Sequence, residues 1–275
     1  MLLTSGFFCA IIIYLLFMKG GKKMTDSKTL AYINMFAILG SLPKLCEYDK
    51  RAARLVSMDE AISVAFDVKN GPAATFTFGK GTCFVLDGIH ECDIKLIFTD
   101  CDHFNAMIDG KASPIPVKGL MKIGFLTKNF TKLTDILSAY LRPEEGALDD
   151  PKFFRISTSL MLNVIGGAVA QIGNHDKIGT FSASNIVDGT VMLSIKNGPA
   201  VYVRAENHHL SATSDTNVAP RAIMEFGSLE LARDLFDGKV NSMDCIGKQA
   251  ITMCGMISML DNVNRILDRV AVYLA

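Results

Sequence analysis

The chain has no tryptophan, no net charge and no Cys-x-x-Cys pair. With 28 Lys plus Arg against 28 Asp plus Glu and a pI near 6.9, it lacks the broad basic surface that grips phosphate backbones, so no nucleic-acid partner is expected. Seven irregularly spaced cysteines in 275 residues read as the reduced thiols of a cytoplasmic protein, not as a disulfide framework. Catalytic signatures are missing as well: there is no GxSxG elbow, HExxH, Walker loop or GxGxxG. The sequence therefore predicts no enzyme, no cofactor and no metal. What it does have is apolar residues, 49% against 20% charged, enough for a large core and too many for a disordered chain. The length suits one large domain or two ordinary ones.

Residues 1–23 stand apart. Leu2 to Met18 is an uncharged run at the lower limit for spanning a bilayer, followed by Lys19, Lys22 and Lys23. One reading is a single-pass anchor that leaves the rest in the cytoplasm. The other is a translated leader: Lys19-Gly20-Gly21-Lys22-Lys23-Met24 can be encoded by a bacterial ribosome-binding site just before an ATG, making Met24 the start. A signal peptide fits worse, since no positive charge precedes the run and no small-residue cleavage site follows it.

The strongest signal is an internal repeat. Lys69-Asn70-Gly71-Pro72-Ala73 returns as Lys196-Asn197-Gly198-Pro199-Ala200, and Asp109-Gly110-Lys111 returns as Asp237-Gly238-Lys239. Phe98 aligns with Phe226, Gly119 with Gly247 and Ile123 with Ile251. The order predicts a tandem duplication: domain 1 over 24–141, a polar Pro-bounded linker over 142–152 and domain 2 over 153–275.

In copy one, helices are expected over 27–42, with Asp26 or Ser27 as cap, and over 43–56, with Pro43 in the first turn. Strands follow at 62–68, 73–78, 82–86 and 93–99, forming an antiparallel meander whose first hairpin turns on Asn70-Gly71. A helix over 102–109 ends at Gly110, residues 113–116 form a loop, a strand runs over 120–123 and a helix closes the copy over 129–141. Copy two has a helix over 153–172, in which Gly166-Gly167 lets a neighbour approach. Strands follow near 191–196, 200–204, 208–213 and 221–226, then a helix capped by Ser228 that ends at Gly238. The last helix spans 253–274 with a Met-rich apolar stripe.

This order of elements resembles the sterol carrier protein lipid-binding domain family. The resemblance runs through residues 93–99, 106–111 and 119–124 in copy one, and 222–226, 235–239 and 247–251 in copy two. Thr252 stands where the family often has Gly, the loop at Asn241-Ser242-Met243 lacks the prolines of copy one, and the chain does not end in a peroxisomal address. What the resemblance implies is an α+β chain of two tandem domains. Each would have a mostly antiparallel five-stranded sheet covered on one face by helices, with an apolar tunnel for a sterol, fatty acyl chain or phospholipid between them. The helical stripes then supply the lining: Phe104, Met107 and Ile108; Phe130, Leu133 and Leu137; Leu231 and Leu235; Met256, Leu260, Val263 and Leu267. The expected partner is a hydrophobic small molecule or lipid, with transient membrane contact and an intramolecular pseudo-dimer of the repeats both open.

Other polar clusters weigh less. His90, Cys92, Cys101 and His103 could converge on zinc, but the spacing matches no familiar module and copy two has no equivalent. His208-His209 on a strand would point to opposite faces. Asp100 and Asp102 read as helix caps, and Asn129-Phe130-Thr131 is a sequon that a cytoplasmic chain would not use. Two further readings stay open: a scaffold for lipophilic-intermediate biosynthesis with filled tunnels, and an enzyme using His90, Cys101, His103 or His208 at a tunnel mouth.

Overall fold

The computed structural model describes residues 25–215, 217–240 and 242–274; the apolar run at residues 2–18 lies outside them. The chain divides into two compact units between Leu148 and Asp149.

In unit 1 a long helix, α1 (Ser27–Tyr48), opens under the Asp26 cap, whose carboxylate accepts from Thr29 N. It continues through Pro43, where a break was expected. A π turn at Ile33–Ile38 and a 3-10 turn at Leu39–Ser41 precede the proline and re-space the carbonyls that its ring would otherwise meet. α2 (Lys50–Leu55) follows, then β1 (Ile62–Val68), β2 (Ala73–Gly79), β3 (Thr82–Asp87), β4 (Ile94–Phe98), α3 (Cys101–Ile108) and β5 (Ile115–Lys118). A 3-10 turn, Leu120–Lys122, leads into the closing helix: Ile123–Phe125, a π turn at Leu126–Phe130, and α4 (Thr131–Leu141).

Unit 2 repeats the plan with α5 (Pro151–His175), α6 (Lys177–Ser184), β6 (Gly189–Ile195), β7 (Ala200–Glu206), β8 (His209–Thr213), β9 (Ala222–Phe226), α7 (Leu229–Phe236), α8 (Ser242–Gly247), β10 (Ile251–Gly255) and α9 (Ile257–Tyr273). The sequence pattern had not marked α6 or α8.

The two sheets have one topology, β3-β2-β1-β4-β5 and β10-β9-β6-β7-β8. The fourth strand of each copy does not extend the meander. It crosses to the far side of the first strand and pairs with it in parallel, Val64 opposite Ile94 and Val191 opposite Ala222. Alternating residues identify a strand and say nothing about its neighbour, which is why the meander reading went too far. In unit 1 the crossing is pinned by Thr75, whose hydroxyl donates to Gly88 O and accepts from His90 N.

The repeated pentapeptide is explained by its geometry. Asn70 and Asn197 are left-handed, with φ 61° and 56°. Lys69 N donates to Phe98 O, and Lys196 N to Phe226 O, so each hairpin is tied to the parallel strand beside it. Asp100 and Ser228 cap α3 and α7 through His103 N and Leu231 N, and both helices end in a left-handed Gly followed by Lys. Asp102 is not a second cap; it lies in the first turn and accepts from Ser27 Oγ.

Three further sequence readings need correction. The last strand of copy one lies in the proline stretch, at β5, and the expected strand at 120–123 is a 3-10 turn. Pro116 is tolerated because β5 is an edge strand, where a missing N–H need cost no ladder bond. Gly119 therefore matches Gly255, not Gly247. Both end the fifth strand with positive φ, and a Cβ on either would lie 2.1 Å from Asp93 O or 2.2 Å from Arg221 O. The last helix starts at Ile257, because Met253 is still in β10.

The cores are filled differently. On the helix-facing side of sheet 1, Phe66, Phe76, Phe78 and Phe98 join Phe104 and Phe130, with ring centroids 5.0 to 6.3 Å apart. At matching positions unit 2 has Leu193, Val203, Ala205, Phe226 and Ala232, and the missing volume is taken up by bringing α5 onto the sheet. A Cβ at Gly166 would stand 2.5 Å from Val201 Cγ2, the close approach that Gly166-Gly167 predicts.

A polar tie unseen in the sequence repeats too. Buried Asp49 caps α2, accepts from Tyr140 Oη at 2.9 Å on the closing helix, and pairs with Arg51 at 2.7 Å. Asp176 caps α6, accepts from Tyr273 Oη at 2.7 Å and pairs with Arg269 at 2.8 Å. The Arg comes from the capped helix in unit 1 and from the closing helix in unit 2. The place of Arg51 and Arg54 on the outer face of α2 is taken by exposed Ile178 and Phe181 on α6.

Candidate ligand-binding site

Two concavities flank the closing helix of unit 1. The first, of about 350 Å³, is lined by Met58, Glu60 and Ile62, from the approach to β1, and by Met121, Lys122, Gly124 and Phe125, from the turn after β5. Its geometry follows from Gly119. Because this residue folds back against the Asp93 carbonyl, the chain reverses at once into the 3-10 turn and leaves Leu120 65% exposed and Met121 fully exposed. Asp93 staples the rim. One carboxylate oxygen accepts from Lys122 Nζ at 2.6 Å and the other from Ser63 N and Oγ. Lys122 and Ser63 together hold this carboxyl below its ordinary value.

The floor is Phe125, 6% exposed, whose ring lies 5.3 Å from Phe78; Phe78 in turn lies 5.8 Å from Phe130. Phe125 thus separates the concavity from the aromatic core. The π turn begins at the next residue. Such turns interrupt the i to i−4 ladder and recur at functional sites. The second concavity, of about 340 Å³, is lined by Arg51, Leu55, Lys132, Asp135 and Ile136, and burial raises the Asp135 carboxyl pKa. Asn129 donates to Leu55 O at 2.6 Å, clamping the closing helix to the end of α2.

The stripe residues expected to line a tunnel sit elsewhere. Phe104, Met107, Ile108, Phe130, Leu133 and Leu137 are at most 2% exposed and pack in the aromatic core of unit 1. In unit 2 Leu260 and Val263 are buried, while Leu231, Leu235, Met256 and Leu267 are half-buried. None of them lines either concavity. Apart from Ile62, which opens the strand expected at 62–68, the residues that line the first one carry no helical or strand periodicity; the visible signal is Leu120-Met121 between Lys118 and Lys122.

The polar clusters are separate. His90 Nε2 meets Asp87 O, while His103 meets Thr99 through Nδ1 and Ser113 O through Nε2. Cys92 is buried and its carbonyl accepts from Lys118 Nζ. Cys101 lies under Gly71, and burial raises its thiol pKa. Among the described residues no three His, Cys, Asp or Glu side chains gather closely enough to hold a metal ion. His208 is in the β7–β8 turn with φ 63°, outside the strand where it was expected; His209 opens β8 and meets the Asn174 amide. No protein-family model matches the chain, and no curated protein matches it with significance.

Proposed function

We propose that the protein is a non-enzymatic binder and carrier of a hydrophobic ligand, a sterol, fatty acyl chain or phospholipid, as its resemblance to the sterol carrier lipid-binding domain implies. The observation that carries this reading is the concavity over Phe125: an apolar floor backed by an aromatic core, under a charged rim of Glu60 and Lys122. A volume of 350 Å³ is at the small end of ligand pockets, so it receives only part of a long chain. Deeper entry requires Phe125 and the π turn behind it to move aside. Each methylene buried contributes about 0.8 kcal/mol, so a chain a dozen or more carbons long offsets that displacement and the cost of association.

The test is native mass spectrometry of protein purified without added lipid, joined to titration with a fluorescent fatty acid. One acyl ligand per chain is expected, with affinity lowered about tenfold by Ile62→Glu. A bare mass with no uptake overturns the carrier. It would favour the scaffold reading, which is supported by the full burial of Phe104, Met107, Ile108, Phe130 and Leu133 in a packed core.

A further inference from the structure

The exposed large apolar residues described in unit 1 fall at the two edges of its sheet: Phe84, Leu86 and Ile89 on and after β3, and a denser group along β5 and the turn after it. Ile115 is 41% exposed, Val117 53%, Leu120 65% and Met121 fully exposed. Isolated surface leucines need no explanation, but four large side chains within seven residues at a sheet edge and its protruding turn do. The charge carried by this stretch of chain is one-sided. From Gly110 through Thr134 the chain carries Lys111, Lys118, Lys122, Lys128 and Lys132 and not one Asp or Glu, in a protein whose charges otherwise cancel. Lys118 and Lys122 bracket Leu120-Met121, and Lys128 and Lys132 are exposed on the closing helix. Opposing groups come from its two ends and from other segments: Asp109 pairs with Lys111, Asp135 lies beside Lys132 in the second concavity, Asp93 pairs with Lys122, which Glu60 also faces, and Cys92 O accepts from Lys118 Nζ.

From this juxtaposition we infer that the 115–122 segment is a membrane-docking tip, with Leu120 and Met121 entering the headgroup region of an anionic bilayer and the flanking lysines meeting its phosphates. An apolar protrusion ringed by lysine suits that partner on both counts, since lysine stems lie along apolar surface while their ammonium groups stay at the headgroups. A folded protein partner would match the apolar residues but has no general reason to meet lysines alone. The inference rests on the carrier reading in one respect: Met121 and Lys122 also line the concavity over Phe125, so a docked tip places its mouth at the lipid surface.

The absence of tryptophan makes the test local. Met121→Trp puts the sole indole of the full chain at the tip, at a fully exposed position. With vesicles of phosphatidylcholine and phosphatidylserine, its emission is expected to shift to the blue and to be quenched by bromine-labelled acyl chains, even if residues 2–18 bind vesicles by themselves. Changing Lys118 and Lys128 to Gln in that background weakens the response about fivefold per lysine, and added salt does the same. Unchanged emission with anionic vesicles overturns the inference, as does an equal response to phosphatidylcholine alone. If emission stays unchanged while the unsubstituted chain still binds the fluorescent fatty acid from solution, the tip fails and the carrier stands. A tip that inserts, with no ligand taken up by the unsubstituted chain, has the opposite meaning.

Discussion

Asp49 and Asp176 show how one side chain can hold three elements. Each is at most 5% exposed, caps a helix and accepts a phenol from the closing helix, and each pKa is lowered to about 2 although burial alone would raise it. In both, the hydrogen bonds and ion pair outweigh desolvation. A carboxyl depressed when folded stabilises the fold at pH above the unfolded value, about 4, and that contribution is lost as pH falls from about 4 towards 2. Urea unfolding between pH 6 and 3 should therefore show falling stability, with a shallower slope in Asp49→Asn and Asp176→Asn. Each substitution is expected to cost about 2–3 kcal/mol at neutral pH. The Arg partners differ: Arg269 is 22% exposed and Arg51 66%, so Arg269→Gln should cost clearly more than Arg51→Gln in the same assay. Arg142 is the opposite case. Its Nε and Nη2 are buried without a hydrogen-bond partner, and desolvation lowers its pKa to about 10. Arg142→Met should raise the unfolding midpoint, by about 1 kcal/mol of stability.

The elements that the sequence disclosed are those fixed by backbone chemistry. The Asn70 and Asn197 turns, the Asp100 and Ser228 caps and the Gly110 and Gly238 stops follow from which residues tolerate a given φ or offer an oxygen to an open N–H. β5 escaped because two prolines disguise an edge strand, and α6 because its outward residues Ile178 and Phe181 blur the polar face of a surface helix. The concavity over Phe125 joins residues from 58–62 to residues from 121–125, a juxtaposition made by the fold and written in no local pattern. The Asp49–Tyr140 bond spans 91 residues and was invisible for the same reason. Packing of α5 on the sheet yields a prediction at this scale. Gly166→Leu, which installs the residue that Leu39 supplies at the matching place in unit 1, should cost about 3 kcal/mol in chemical denaturation. Val201→Ala in the same chain should recover part of that loss, because the added side chain meets Val201 first.

Across the whole molecule, two units share a topology and differ in what fills them, aromatic rings in one and aliphatic side chains against a glycine-lined helix in the other. Each has its own sheet, closing helix and Asp–Tyr tie, so Asp49→Asn and Asp176→Asn should lower different segments in hydrogen exchange: 27–141 for the first, 151–273 for the second. Loss of protection in both from either substitution would show that the units unfold as one. Among the described residues two helices, Ser27–Tyr48 and Pro151–His175, are long and apolar enough to cross a bilayer, yet most of each is buried. Their hydropathy is accounted for by the cores they close.

The outer face of the second helix is cationic in one unit, through Arg51 and Arg54, and greasy in the other, through Ile178 and Phe181. Two identical copies of one domain would have to wear the same coat. Joining the copies in one chain removes that obligation, so each half is free to suit a different neighbour without spoiling its twin.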